Sequence, residues 1–305
     1  MKFLGNFRMK NLYLTITDEC NLHCPHCYKE DFKKSLFSFE KIKKILEDSK
    51  DIDFIILYGG EFLLEKYSTK VIDLITFLKS KNLSISGTTN LCFKNLSENQ
   101  LYILNQLDSI STSWNPLRFS DEQFNWWLSN INKLKGKSLS LLITLTKSLI
   151  ERSYFDQIQN FCKLPFETIK FEPFIGEGFE RPLNKEVDVY LCKLYDSLKN
   201  FLNEKQIEPF SSIISGFKNH ISTGTFNRKC YDHSLCLEVN GDLKICPQFQ
   251  KDIENPKKSF FNFDERCLEC KFFSFCKGNC PLLKFDNSGC PGYPKLFQRI
   301  LSNGN

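Results

Sequence analysis

The chain has 305 residues, 41% of them hydrophobic and 25% charged, which is room for one large and one small domain with a proper core. It holds no run of about 18 apolar residues, so no membrane-spanning helix is expected, and segment 1–10 is too short and interrupted for a signal peptide, which points to the cytoplasm. The formal charge of +5 comes from scattered lysines rather than one basic block, which argues against nucleic-acid binding.

In chain order, segments 12–16, 54–57, 83–85, 109–113, 139–145 and 168–171 are short and apolar or alternating, as strands are. Longer stretches of helical period separate them. Leu64, Tyr67, Val71, Leu74 and Leu78 put one apolar stripe on one helix face. Ser97 with Gln100, and Ser120 with Gln123, read as capping boxes that start two helices. The second box precedes Phe124, Trp127, Leu128, Ile131 and Leu134, another stripe. Six strands alternating with helices predict an α/β fold on a parallel sheet, either open and doubly wound or a partial barrel. Residues 172–182 read as a loop and 187–202 as a helix. From Cys230 onward cysteines recur every few residues, with the turn signal Asn240-Gly241-Asp242, which predicts a small loop-rich domain organised by metal.

Fourteen cysteines are many for a chain expected in reducing cytosol, where metal-bound thiolates are a better account than disulfides. Cys20, Cys24 and Cys27 lie in one loop after the first strand, three thiolates without a fourth protein ligand. On a four-iron cluster that leaves one iron open. His23 or His26 could complete a zinc site instead, so this segment alone leaves zinc open. After the second strand comes Tyr58-Gly59-Gly60-Glu61, in which the glycines allow close approach to the backbone and Glu61 offers a carboxylate to a cation. Both motifs follow the ends of adjacent strands, where parallel α/β folds place their sites.

Cys-x3-Cys-x2-Cys followed by Gly-Gly-Glu after the next strand resembles the radical S-adenosylmethionine (SAM) superfamily. The resemblance implies a partial (βα)6 TIM-like barrel, with Cys20, Cys24 and Cys27 on three irons of a [4Fe–4S] cluster and SAM on the fourth. It implies that Gly59, Gly60 and Glu61 hold the methionine amino group and that Thr89-Asn90 lies near the cofactor. Ser111 and Ser113 match the ribose-contacting position, and Asn115 and Arg118 follow at the same end, where they could reach the SAM carboxylate. His26 stands where the family's backbone meets adenine. Phe62 stands where proline is common, and a local change without loss of function is expected there. The implied chemistry is reductive cleavage of SAM to a 5′-deoxyadenosyl radical that abstracts a hydrogen atom.

The C-terminal third carries Cys230, Cys236, Cys246, Cys267, Cys270, Cys276, Cys280 and Cys290. Eight thiols suit two four-iron clusters or two zinc sites equally by count. Their spacing resembles the SPASM domain that follows the barrel in many radical SAM enzymes acting on peptides and proteins. That resemblance implies a first auxiliary cluster on Cys230, Cys236, Cys246 and Cys280 and a second on Cys267, Cys270, Cys276 and Cys290, both fully ligated. The expected domains are a barrel over 1–183, a bridging helical segment over 184–226 and a SPASM domain over 227–305. The expected function is modification of a ribosomal peptide, by thioether or carbon–carbon crosslinking or by epimerisation. Sulfatase maturation to formylglycine is an alternative, disfavoured by the compact length. A non-enzymatic zinc or electron-transfer protein is another, with no use for Gly59-Gly60-Glu61. The expected partners are a precursor peptide or protein and a flavodoxin- or ferredoxin-type electron donor, and any leader recognition is expected to need a separate leader-binding protein or the barrel surface, since about ten residues precede the first strand. Cys92, Cys162 and Cys192 remain. Each fits a small buried hydrophobe. Cys92, two residues past Asn90, is also a candidate hydrogen-atom donor to a substrate radical. Glu172, Glu177 and Arg181 follow the sixth strand and are candidate substrate contacts.

Overall fold

A computed structural model describes residues 11–27, 29, 35–49, 51–175, 178–222, 234–244, 246, 265–276 and 283–303. Cys230, Cys280 and Glu177 lie outside these residues. The six expected strands are present as β1 (Asn11–Thr17), β2 (Phe54–Gly59), β3 (Ser84–Thr89), β4 (Ser109–Trp114), β5 (Ser138–Leu145) and β6 (Thr168–Pro173). Each is followed by helix: α1 (Phe39–Asp48), α2 (Ser68–Ser80), α3 (Glu98–Gln106), α4 (Asp121–Lys133), α5 (Lys147–Arg152) with α6 (Phe155–Cys162), and α7 (Asn184–Leu198). Six βα units thus follow one another along the chain.

The chain divides into two compact units. The first comprises Met1–Ser113, Leu117–Ser140 and Lys229–Asp252. Its sheet runs β4-β3-β2-β1 in parallel, and β8 (Ser234–Leu237) adds to β1, also in parallel. The two-residue strand β9 (Leu243–Lys244) returns antiparallel to β8 through a turn in which Gly241 has φ +93°. Leu12, Leu14 and Ile16 of β1 are buried, as are Val71, Leu74 and Leu78 of α2. Both capping boxes form, at Ser97/Gln100 and at Ser120/Gln123.

Strand β3 runs four residues beyond its apolar start, through Ser86-Gly87-Thr88-Thr89. Gly87 makes room there for Phe62, since a Cβ on it would stand 2.7 Å from the Phe62 ring and 2.8 Å from Leu107. Phe62, in the place where proline was expected, is thus a buried core residue packed across β3.

The second unit comprises Trp114–Pro116, Leu141–Arg228 and Ile253–Asn305. Here β7 (Gln206–Glu208) pairs in parallel with β6. The helix α8 (Phe210–Ser222) follows, then α9 (Glu265–Leu268), α10 (Phe273–Cys276) and α11 (Pro294–Asn303). Asp188 of α7 accepts from the Lys295 and Leu296 amides at 2.9 and 3.0 Å, so a side chain of one helix caps the other's first turn. Phe297 of α11 packs against Phe217 of α8 and stacks on Phe272. No helix among the described residues is long and apolar enough to cross a membrane.

Candidate functional site

The parallel register sets Thr17 beside Gly59 and Thr89 beside Thr112, so the loops after β1 to β4 leave one end of the sheet together. The cysteine loop and the Gly-Gly-Glu segment are joined by backbone. Gly60 N donates to Thr17 O at 2.7 Å and Glu61 N to Glu19 O at 2.8 Å. A Cβ on Gly59 would stand 2.4 Å from Thr17 O, and one on Gly60 2.1 Å from Glu19 O. Gly59 also has φ +135°, which side chains rarely tolerate. The close approach that these glycines permit is therefore first of all that of the chain's own β1 end.

Glu61 is 0% exposed. Its Oε1 accepts from Leu63 N at 3.0 Å and Thr89 Oγ1 at 2.8 Å, and its Oε2 from Asn90 N at 2.7 Å. Burial raises its pKa, and these three donors together with Arg118 oppose the shift. Glu61 thus ties the end of β2 to the end of β3. The Asn90 amide donates to Asn21 Oδ1 at 2.7 Å and to Cys20 Sγ at 3.6 Å, and Leu22 N also reaches that sulfur at 3.4 Å. Burial pushes the Cys20 thiol up to about 11, Glu61 adds to this, and Arg118 works against it. Cys24 is raised by burial, again opposed by Arg118 and reinforced by Cys27. Cys92 is 3% exposed and pushed up to about 11 by burial, with Arg118 opposing and Glu61, Cys24 and Cys20 adding. Its thiol therefore shares the electrostatic environment of the cysteine loop. His26 is held down at about 4 by burial and by the Arg118 charge.

Two buried polar atoms of this constellation, His26 Nδ1 and Arg118 Nε, have no hydrogen-bond partner among the described residues. Buried polar groups are rarely left so, and each signals something still to be bound. The Cys20 and Cys24 thiols, raised by burial, also fit metal, which makes thiolates of such groups. The donor set thus fits an iron–sulfur cluster with a polar cofactor beside it.

Ser111 and Ser113 are half-buried on one face of β4, while Thr112 on the other accepts from Trp127 Nε1 at 3.0 Å. Asn115, in the second unit, donates to Thr144 O at 3.2 Å and Thr146 Oγ1 at 3.0 Å. Its amide binds the chain itself. Cys162 is buried, as a packing role requires, and Cys192 half-buried. Glu172, at the end of β6, has its pKa raised by burial.

Cys236, on β8, is fully buried and pushed up to about 12 by burial, then by Glu238, with Cys246 adding. In the second unit Cys267, Cys270, Cys276 and Cys290 gather. Cys290 is raised by burial and then, against the Gly292 N–H, by Cys267 and Cys270. A Cβ on Gly292 would meet Cys276 Sγ at 2.8 Å and Cys290 Sγ at 3.3 Å. No group of three or more ligating side chains among the described residues is drawn in to the spacing of a single metal ion. A four-iron cube holds its thiolates farther apart than one ion does. Sequence reasoning missed Asn130, a fully buried polar side chain on α4 that clamps the turn after β3. An asparagine in phase with Trp127, Ile131 and Leu134 was the available signal.

Residues 10–130 match the family model of a 4Fe–4S single cluster domain. A cysteine-type anaerobic sulfatase-maturating enzyme of Clostridium novyi is 22% identical over 96% of this chain and 96% of its own length. A GTP 3′,8-cyclase of Synechocystis is 28% identical over 50% of each chain. Among solved structures, anSMEcpe with bound SAM and a peptide superposes with a TM-score of 0.70 at 18% identity, covering 96% of this chain and 95% of that one. Streptococcus suis SuiB bound to its precursor peptide SuiA gives 0.65 at 15% identity, over 92% and 76%. Fold and site thus define an α/β protein with a largely parallel sheet, the fold that these solved structures share. Within it, the stretch that matches the 4Fe–4S single cluster domain carries both the cysteine loop and Gly59-Gly60-Glu61.

Proposed function

We propose that the protein is a radical SAM enzyme that modifies a ribosomal peptide or protein. The observation that carries this is the joining of the cysteine loop to Gly59-Gly60-Glu61 by two backbone hydrogen bonds, beside the orphaned His26 Nδ1 and Arg118 Nε. Cys20, Cys24 and Cys27 would hold three irons of a [4Fe–4S] cluster. A cluster held there would supply the electron for reductive cleavage of SAM. Arg118 brings a fixed positive charge suited to the SAM carboxylate. His26, neutral at physiological pH, offers a hydrogen-bonding nitrogen to the adenine end. Glu61 and Asn90 hold the ends of β2 and β3 in place, and the amino group is left to the Gly59–Glu61 segment. Ser111 and Ser113 are the ribose candidates.

Eight C-terminal cysteines support two auxiliary [4Fe–4S] clusters, one on Cys230, Cys236, Cys246 and Cys280 and one on Cys267, Cys270, Cys276 and Cys290. With three clusters, the enzyme draws electrons from a flavodoxin- or ferredoxin-type donor. The reaction is a thioether or carbon–carbon crosslink, or an epimerisation in which Cys92 returns the hydrogen atom. A cytoplasmic setting and a separate leader-binding protein go with this reading. Its test is anaerobic reconstitution followed by dithionite and SAM. The expected result is 5′-deoxyadenosine and methionine in equal amounts, lost in Cys24→Ala. Zinc without SAM cleavage overturns it.

Likeness over 96% of both chains to a sulfatase-maturating enzyme favours a second reading, oxidation of a cysteine or serine side chain to formylglycine. Incubation with a cysteine-containing sulfatase peptide separates the two. An aldehyde product selects maturation, and an unchanged peptide removes that second reading.

A further inference from the structure

Leu91 has φ +52°, in the left-handed region that a residue with a Cβ disfavours. Such a conformation persists where its surroundings over-determine it, and it marks positions with a task. The surroundings here account for every amide from Asn90 to Phe93. Asn90 N donates to Glu61 Oε2 at 2.7 Å, Leu91 N to Thr89 Oγ1 at 3.1 Å, Cys92 N to Asn90 Oδ1 at 2.7 Å and Phe93 N to Leu91 O at 3.1 Å. The carbonyls are held as well. Asn21 Nδ2 donates to Cys92 O at 2.8 Å, and Asn130 Nδ2 donates to Leu91 O at 3.1 Å and Phe93 O at 2.7 Å.

Asn130 is 0% exposed on a helix that needs an apolar side chain at that position. Burying an amide is unfavourable unless its hydrogen bonds are made, so the position is specified by what it holds. What it holds is the turn that fixes Asn90 at both ends. The Asn90 carbonyl oxygen takes Cys92 N, and its amide then points at Asn21 Oδ1 and Cys20 Sγ, at 2.7 and 3.6 Å. An unbroken series of contacts therefore leads from α4 to one sulfur of the cysteine loop.

We propose that Asn130 is a positioning residue for the cluster, holding the Asn90 amide on Cys20 Sγ and so setting the cluster's reduction potential. This rests on the reading of Cys20, Cys24 and Cys27 as cluster ligands. A hydrogen bond to a ligating sulfur stabilises the reduced, more negative state and raises the potential, and its loss lowers it.

The test is an EPR-monitored redox titration of the anaerobically reconstituted full chain, without SAM. The signal of interest is the one absent from Cys24→Ala. Asn90→Leu and Asn130→Leu are each expected to move its midpoint to more negative potential, a several-fold change in the reduction equilibrium. The double variant moves it no further than Asn90→Leu alone, and the remaining cluster signals stay in place as internal controls against general loosening of the fold. Asn130→Ala, which adds no charge and removes the same two donors, gives the same shift and decides the matter should the leucine variant not fold. A loaded Asn130 variant with the wild-type midpoint, beside a shifted Asn90→Leu, overturns the inference alone. Absence of any signal that depends on Cys24 overturns the cluster reading and the inference with it.

Discussion

At the scale of single residues, charge and burial act in opposition around Arg118. One guanidinium works against the burial of Cys20, Cys24, Cys92 and Glu61, and it joins burial in pushing His26 down. For His26 the sign is definite. Its pKa is about 6.5 in the unfolded chain and about 4 when folded. A depressed base contributes stability that is full above pH 6.5 and is lost as pH falls towards 4. His26→Gln is therefore expected to flatten the fall in Tm of the metal-free protein across that window, which thermal denaturation at a series of pH values reads directly. Parallel curves for the two proteins would refute it. At this scale the sequence displayed the chemistry and hid the support. Cys20, Cys24, Cys27 and Glu61 stand out because thiols and a carboxylate at strand ends need a reason. Gly59 and Gly60 were visible too, but what presses against them, Thr17 and Glu19, is a tertiary neighbour that no spacing discloses. Asn130 looked like a polar interruption in a stripe.

Among the elements, β3 shows how one small residue settles a strand. Gly87 is a poor strand residue, yet β3 runs through it, and the space that its missing side chain leaves is filled by Phe62. Gly87→Ala is expected to cost about 1–3 kcal/mol by overpacking. The cost should shrink in a Phe62→Leu background, because the two side chains share the space. Urea denaturation of the four proteins measures the coupling, and additive effects would show that the space is not shared. The regular helices were legible in part: both capping boxes carry their start signals in the local sequence, α2 buries Val71, Leu74 and Leu78 while Leu64 and Tyr67 lie ahead of it, and α4 buries Trp127 and Ile131 while Phe124 and Leu128 stay half-buried. β7 and β8 were not. Three residues of Gln-Ile-Glu and four of Ser-Leu-Cys-Leu carry too little pattern, and each becomes a strand only because β6 or β1 offers an open edge.

For the molecule as a whole, the proposed three clusters make an iron count the broadest check. Fully reconstituted protein should hold about twelve irons per chain, four in each cluster. Cys290→Ala should lose about four and leave SAM cleavage measurable, provided the clusters load independently. A wild-type count near four would leave only the cluster of the cysteine loop. The likeness in fold to solved structures extends over nearly the whole chain at identities below 20%. The pairing of β8 with β1 has a consequence for synthesis. Asn11 lies opposite Ser234, so one flank of the first strand waits for residues made more than two hundred positions later. At about 5–20 residues per second that interval is roughly 10–45 s, during which Tyr13 and Leu14 border an open strand edge on the nascent chain. The ribosome therefore delivers the protein through a period of exposure to aggregation, and a chain truncated before Ser234 would carry that open edge permanently.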